Sequence, residues 1–166
     1  MLHRKSKLIA VVALALSAAA LSAACTSATP TAAAQQPMKR TLYMAAVEPK
    51  GSTSVEKEPF PTAALPQNGG YILKVPNKDG VWETSTYRWI PSTFVVNQGD
   101  EVTLEIVGVN GKEHPSVIEG YNVSFNVLRG QVTRTTFKAD KAGIFNIVCG
   151  AHLPTMTGQL VVMPRS

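Results

Sequence analysis

Sulfur and imidazole are scarce in this sequence: 166 residues hold two cysteines, five methionines and three histidines. Cys25 closes an apolar N-terminal run, so the folded part keeps one cysteine, Cys149, and an internal disulfide is excluded. Charge is thin as well, with Asp, Glu, Lys and Arg making up 16% of the chain. Paired carboxylates and a nucleophile beside a base are both missing, which argues against hydrolysis and against an enzyme. No amphipathic stretch is long enough for a major helix, so an α-helical fold is disfavoured. The formal net charge of +5 looks basic but is concentrated at the N-terminus. If residues 1–24 are removed, Arg4, Lys5 and Lys7 go with them, the excess falls to about two, and a nucleic-acid surface loses its support.

What is present begins with an export signal. His3, Arg4, Lys5 and Lys7 precede a run from Leu8 to Ala24 that is apolar or small except at Ser17 and Ser22. That is the layout of a secretory signal peptide over residues 1–24. Cys25 directly after small residues resembles the lipobox of bacterial lipoproteins, although Ser22 stands where that motif prefers Leu. The resemblance implies a lipid anchor at Cys25 and a periplasmic or cell-envelope location, with ordinary cleavage or an uncleaved anchor as the alternatives. Thr26 to Gln36 is Ala, Thr, Pro, Ser and Gln without periodicity, a composition that cannot bury a core. Residues 25–40 are therefore expected to be the acylated cysteine and a flexible linker, and residues 41–166 the folded domain.

The domain reads as short strands. Thr41 to Val47 is a candidate first strand. Glu48 to Gly70, with Pro49, Gly51, Pro59, Pro61, Pro66, Gly69 and Gly70, reads as a long irregular excursion. Tyr71 to Val75 and Val81 to Trp89 are β-prone runs split by a turn. Phe94 to Val96 precedes the turn Asn97 to Asp100, and Val102, Leu104 and Ile106 alternate with Thr103 and Glu105, the period of a half-buried strand. Val123, Phe125 and Val127 repeat that pattern. Further strands follow around Val132 to Phe137, Ile144 to Val148 and Gly158 to Met163. Seven to eight strands at this spacing predict an all-β Greek-key sandwich.

Cys149, His152 and Met156 lie within eight residues, in the connection between the last two predicted strands, while His114 ends an earlier one. Thiolate, imidazole and thioether form a soft donor set that suits copper better than magnesium or calcium. Each also has a plainer role: buried thiol for Cys149, core filler for Met156, satisfied histidine for His114. Glu113, beside His114, is a competing fourth donor. Glu119 reads as a solvated charge, and the Tyr87, Arg88, Trp89 cluster as packing or a partner surface.

Residues 87–163 resemble the cupredoxins, the blue-copper proteins. The likeness rests on Ile90, Pro91, Ser92, Thr93, Phe94, Val95 and Val96 with Gly99, Asp100 and Val102, on the mid-chain His114, and on the closing Cys, His, Met loop. It implies one copper ion with His114, Cys149 and His152 as strong ligands and Met156 as a weak axial one. Phe137 to Cys149 looks similar to nitrosocyanin and to the copper A domains of cytochrome oxidase and nitrous oxide reductase. A copper A centre needs a second cysteine four residues before Cys149, where this chain has Phe145, so a mononuclear centre is expected.

The resemblance implies an exported carrier of single electrons. Its imidazole edge would lie at His152, beside a small apolar patch of Leu153 and Pro154, and its partners would be cytochromes or membrane-bound oxidases or reductases. A periplasmic copper store, resistance protein or chaperone on the same fold is the alternative, and a small copper enzyme using Glu113 and a water is a third reading.

Overall fold

A computed structural model describes residues 36–165. The expected signal peptide, Cys25 and the linker as far as residue 35 lie outside the described residues. In chain order the strands are β1 (Lys39–Val47), β2 (Lys50–Ser54), β3 (Tyr71–Lys74), β4 (Val81–Thr86), β5 (Arg88–Ile90), β6 (Thr93–Asn97), β7 (Glu101–Gly108), β8 (Glu113–Ile118), β9 (Val123–Leu128), β10 (Val132–Lys138), β11 (Gly143–Cys149) and β12 (Thr157–Met163). There is no helix among the described residues.

Two sheets form the expected sandwich, with strand orders β10-β7-β1-β5 and β6-β12-β11-β8-β9. The first strand runs parallel to β7, pairing Leu42 with Leu104 and Met44 with Ile106. β12 likewise runs parallel to β6, pairing Leu160 with Phe94. Alternation decides which side chains face inward. Met44 and Ala46, Val102, Leu104 and Ile106 from one sheet meet Val96, Ile118, Val127, Ile147, Leu160 and Val162 from the other in a single buried cluster. Each such side chain withdrawn from water contributes about 1.5–3 kcal/mol. This core holds β8 and β11 in register, Cys149 opposite Ser116, and so fixes the base of the ligand-rich loop.

At the far end of the sandwich a buried carboxylate ties three segments together. Asp100 accepts hydrogen bonds from the backbone N–H of Met38 at 2.9 Å and of Asn97 at 3.1 Å. It also takes Arg165 Nη2 at 2.8 Å and the Nε of Arg40. Burial alone would raise this carboxyl. The Met38 and Asn97 amides and the Arg40 guanidinium outweigh it and hold the group at about 2.

A third sheet, of order β2-β4-β3, comes between β1 and β5 in the chain. It corrects the expectation that Glu48 to Gly70 is irregular throughout: Lys50–Ser54 is a strand paired with β4, Thr53 opposite Trp82. The prolines that break the pattern gather after it, at Pro59, Pro61 and Pro66. Trp82 is buried there, edge-on to Phe60 at 5.6 Å, with its indole N–H donating to the Glu58 carbonyl at 2.9 Å. The run read as continuous from Val81 to Trp89 divides at Tyr87. The added sheet reaches the ligand-rich loop at one carbonyl, that of Gly70, which accepts the hydroxyls of both Thr86 and Thr155 at 2.8 Å. Gly70 has φ +78°, and a Cβ there would lie 2.9 Å from the Thr155 backbone nitrogen, so no side chain fits.

Candidate metal centre

Pleating on β8 sends His114, Ser116 and Ile118 to the buried face and Glu113 to the exposed one. The last residue of β11, Cys149, is wholly buried. Between Cys149 and Thr157 the chain folds back on itself. The Cys149 N–H donates to the Met156 carbonyl at 3.0 Å, the Met156 N–H to the His152 carbonyl at 3.0 Å, and the Gly150 N–H to the Pro115 carbonyl at 2.9 Å. The last bond ties the loop to β8 beside His114.

These bonds bring three donors together. His114 Nδ1 and His152 Nδ1 are 3.2 Å apart, His152 Nδ1 is 3.4 Å from Cys149 Sγ, and His114 Nδ1 is 3.9 Å from the same sulfur. An ion bonded to two imidazole nitrogens at about 2.0 Å and one thiolate at about 2.3 Å separates them by roughly 3.3–3.7 Å when the angles lie between tetrahedral and trigonal. The donor set therefore fits one small soft ion. His114 has only one free nitrogen: its Nε2–H donates to the Asn110 carbonyl at 2.7 Å, which leaves the Nδ1 lone pair on the side of the other two donors. Gly111 makes room for this imidazole. It has φ +76°, and a Cβ would stand 2.8 Å from His114 Cε1.

Electrostatics match the burial. Removal from water pushes the Cys149 thiol up, partly offset by the N–H groups of Ala151 and His152 and the Ser116 hydroxyl. Burial, and then the neighbouring His114, push His152 down, toward the neutral form that offers a lone pair. Met156 is fully buried in the same apolar cluster as Cys149. Glu113 is not among the converging donors. It is exposed and accepts a hydrogen bond from Asn126 Nδ2 at 3.1 Å. Glu119 is exposed too, holding Asn146 Nδ2 at 2.9 Å.

The Tyr87, Arg88, Trp89 cluster separates by face. Arg88 is exposed and Trp89 is core, with its ring 6.1 Å from that of His114. Tyr87 stacks on His152, ring centroids 3.8 Å apart and planes 28° from parallel. In the sequence Tyr87 reads only as part of that cluster, as packing or a partner surface, and nothing there places it against a candidate ligand.

No family model matches the sequence. The structure superposes on copper nitrite reductase from Nitrosomonas europaea with a TM-score of 0.51 and 16% identity, over 76% of this chain and 42% of that one. It superposes on a multicopper oxidase with a TM-score of 0.51 and 16% identity, over 77% of this chain and 40% of that one. The fold is cupredoxin-like. In sequence the chain is 32% identical over 124 residues to nitrous-oxide reductase of Stutzerimonas stutzeri, covering 64% of this chain and 19% of that protein. The chain thus spans about a fifth of the length of that curated relative. Within the cupredoxin-like sandwich the converging donors sit at one end, where the β11–β12 loop meets the start of β8. The three-stranded sheet flanks them through Gly70.

Proposed function

We propose that this chain is an exported mononuclear copper protein that carries single electrons between respiratory redox partners. The observation that carries the reading is the convergence of one thiol and two imidazole nitrogens, all within 4.8 Å of one another, in a domain with a single cysteine. His114, Cys149 and His152 are the strong ligands, and buried Met156 is the weak axial one. Copper bound there would supply a one-electron couple between Cu(I) and Cu(II).

The protein's own part is to hold the donors still. Asn110 fixes the tautomer of His114, the three loop hydrogen bonds fix Cys149 and the turn that carries His152, and the apolar cluster keeps water from the sulfur. His152, half-buried, conducts the electron outward, and Leu153, 51% exposed, offers an apolar docking contact with Pro154. The partner is a cytochrome or a membrane-bound oxidase or reductase, a reading supported by the sequence likeness to nitrous-oxide reductase. A lipid anchor at Cys25 holds the domain at the membrane surface.

The test is the visible spectrum of the purified protein with copper added. Intense blue or green absorption is expected, bleached by reductant, absent in Cys149→Ala and His114→Ala, and kept in Glu113→Ala. A pale protein, or copper bound equally well without Cys149, refutes the carrier and favours a copper store or chaperone.

A further inference from the structure

His152 sits on a loop whose neighbours Ala151, Leu153 and Pro154 are all exposed. One face of the His152 ring is covered by Tyr87, stacked at 3.8 Å, and the same tyrosine stands edge-on to His114 with ring centroids 5.6 Å apart. The Tyr87 hydroxyl lies beside the Glu48 carboxylate, whose negative charge acts on it. Glu48 is held in turn by Lys50 Nζ at 3.1 Å and Ser85 Oγ at 2.9 Å. Its backbone N–H donates to Asn110 Oδ1 at 3.0 Å. Asn110 is also the residue whose carbonyl accepts His114 Nε2–H at 2.7 Å. The contacts close a circuit: His152 to Tyr87, to Glu48, to Asn110, to His114, and back across 3.2 Å to His152. Gly111 leaves the space inside it, since a Cβ there would meet Tyr87 Cε1 at 3.0 Å.

We propose that Tyr87, anchored by Glu48, is a positioning residue that sets the ring plane of His152 and shields it from water, and thereby raises the reduction potential of the centre. The proposal rests on the copper reading above. Its physical basis is charge. A divalent ion with one thiolate carries more net charge than a monovalent one, so water reaching His152 favours the oxidised state, and excluding it favours the reduced state. Stacking keeps the ring in one orientation through both states, so the loop need not rearrange when the electron moves.

The experiment compares copper-loaded wild type, Tyr87→Phe and Tyr87→Ala. It reads the oxidised-to-reduced ratio at a fixed solution potential, and, in the copper-free proteins, the NMR shifts of the His152 ring protons. Tyr87→Ala is expected to raise the ratio about tenfold, equivalent to about 59 mV for one electron, and to abolish the upfield ring-current shift of His152. Tyr87→Phe, which keeps the stack and loses the anchoring hydroxyl, should retain the ring-current shift and raise the ratio only about twofold. If Tyr87→Ala does not fold, Tyr87→Gln carries the same expectation, because it fills part of the space without a stacking face and sets a polar, hydrated group against the His152 ring. Equal ratios in all variants, or a loss of stability with the ratio unmoved, overturn the role of Tyr87 while leaving a coloured copper protein. A wild type that shows no intense colour instead overturns the copper reading itself, and the two failures are thereby distinguished.

Discussion

Asp100→Asn should weaken the fold strongly at neutral pH, weakly in acid, and leave the metal centre untouched. The carboxylate is fully buried and accepts from two backbone amides and two arginines. Its fall from an ordinary 3.8 to about 2 is worth about 2.5 kcal/mol, at about 1.4 kcal/mol per tenfold in proton affinity. The direction follows from linkage: the unfolded chain binds the proton more readily than the folded one. The stabilisation is therefore complete above the unfolded value of 3.8 and is lost as pH falls from there through about 2. The asparagine cannot ionise, and it takes the carboxylate's charge away from Arg40 and Arg165, so the expected loss at pH 7 is about 2–4 kcal/mol. With a urea slope of roughly 1.5 kcal/mol/M, the unfolding midpoint drops by about 1.3–2.7 M. Urea titrations followed by fluorescence of the buried Trp82 and Trp89, at pH 7 and near pH 2, measure it. The gap between wild type and variant should narrow toward the acid end. A variant as stable as wild type at pH 7, or a gap that does not change with pH, refutes the argument. The copper spectrum should be the same in both proteins. Asp100 lies at the opposite end of β7 from the loop that leads to His114, and the seven steps from Glu101 to Gly108 span roughly 24 Å.

Two further expectations concern the seat of His114 and the N-terminal cysteine. Gly111→Ala places a Cβ 2.8 Å from His114 Cε1 in a left-handed backbone conformation, so copper colour should be weakened or shifted and stability should fall by about 1–3 kcal/mol; an unaltered spectrum would mean that His114 is not held as described. Cys25→Ser should move the expressed protein from the membrane fraction to the soluble fraction, and a soluble wild type would remove the lipid anchor.

Much of the sandwich was legible because its physics is local. Val102, Leu104 and Ile106 alternate with polar residues because β7 buries one face, and Val123 to Val127 repeats that period on β9. Cys149, His152 and Met156 announce themselves by type and spacing, and the strands on either side turn that spacing into a loop. The strand β2 was not legible: Gly51, Ser52, Thr53 and Ser54 offer no apolar alternation, and their order comes from pairing with β4, about thirty residues away. The parallel register of β1 on β7 is likewise a long-range choice with no local mark.

The support around the candidate centre escaped for a deeper reason. His114 is oriented by a backbone carbonyl, that of Asn110, and every residue has one, so no side-chain pattern can reveal which carbonyl is used. Tyr87 and His152 are 65 positions apart in the chain, and what makes that tyrosine matter is a ring plane, a property of the folded molecule. Donor atoms must be particular residue types because chemistry selects them, whereas the groups that hold the donors need only occupy the right place. Motif reading therefore finds ligands and passes over their supports. In this domain Asn110 and Glu48 stand behind the imidazoles, so the fold itself aims both rings at one point. On the copper reading proposed above, little of the free energy of binding would be spent on ordering the loop, and one geometry would serve both oxidation states.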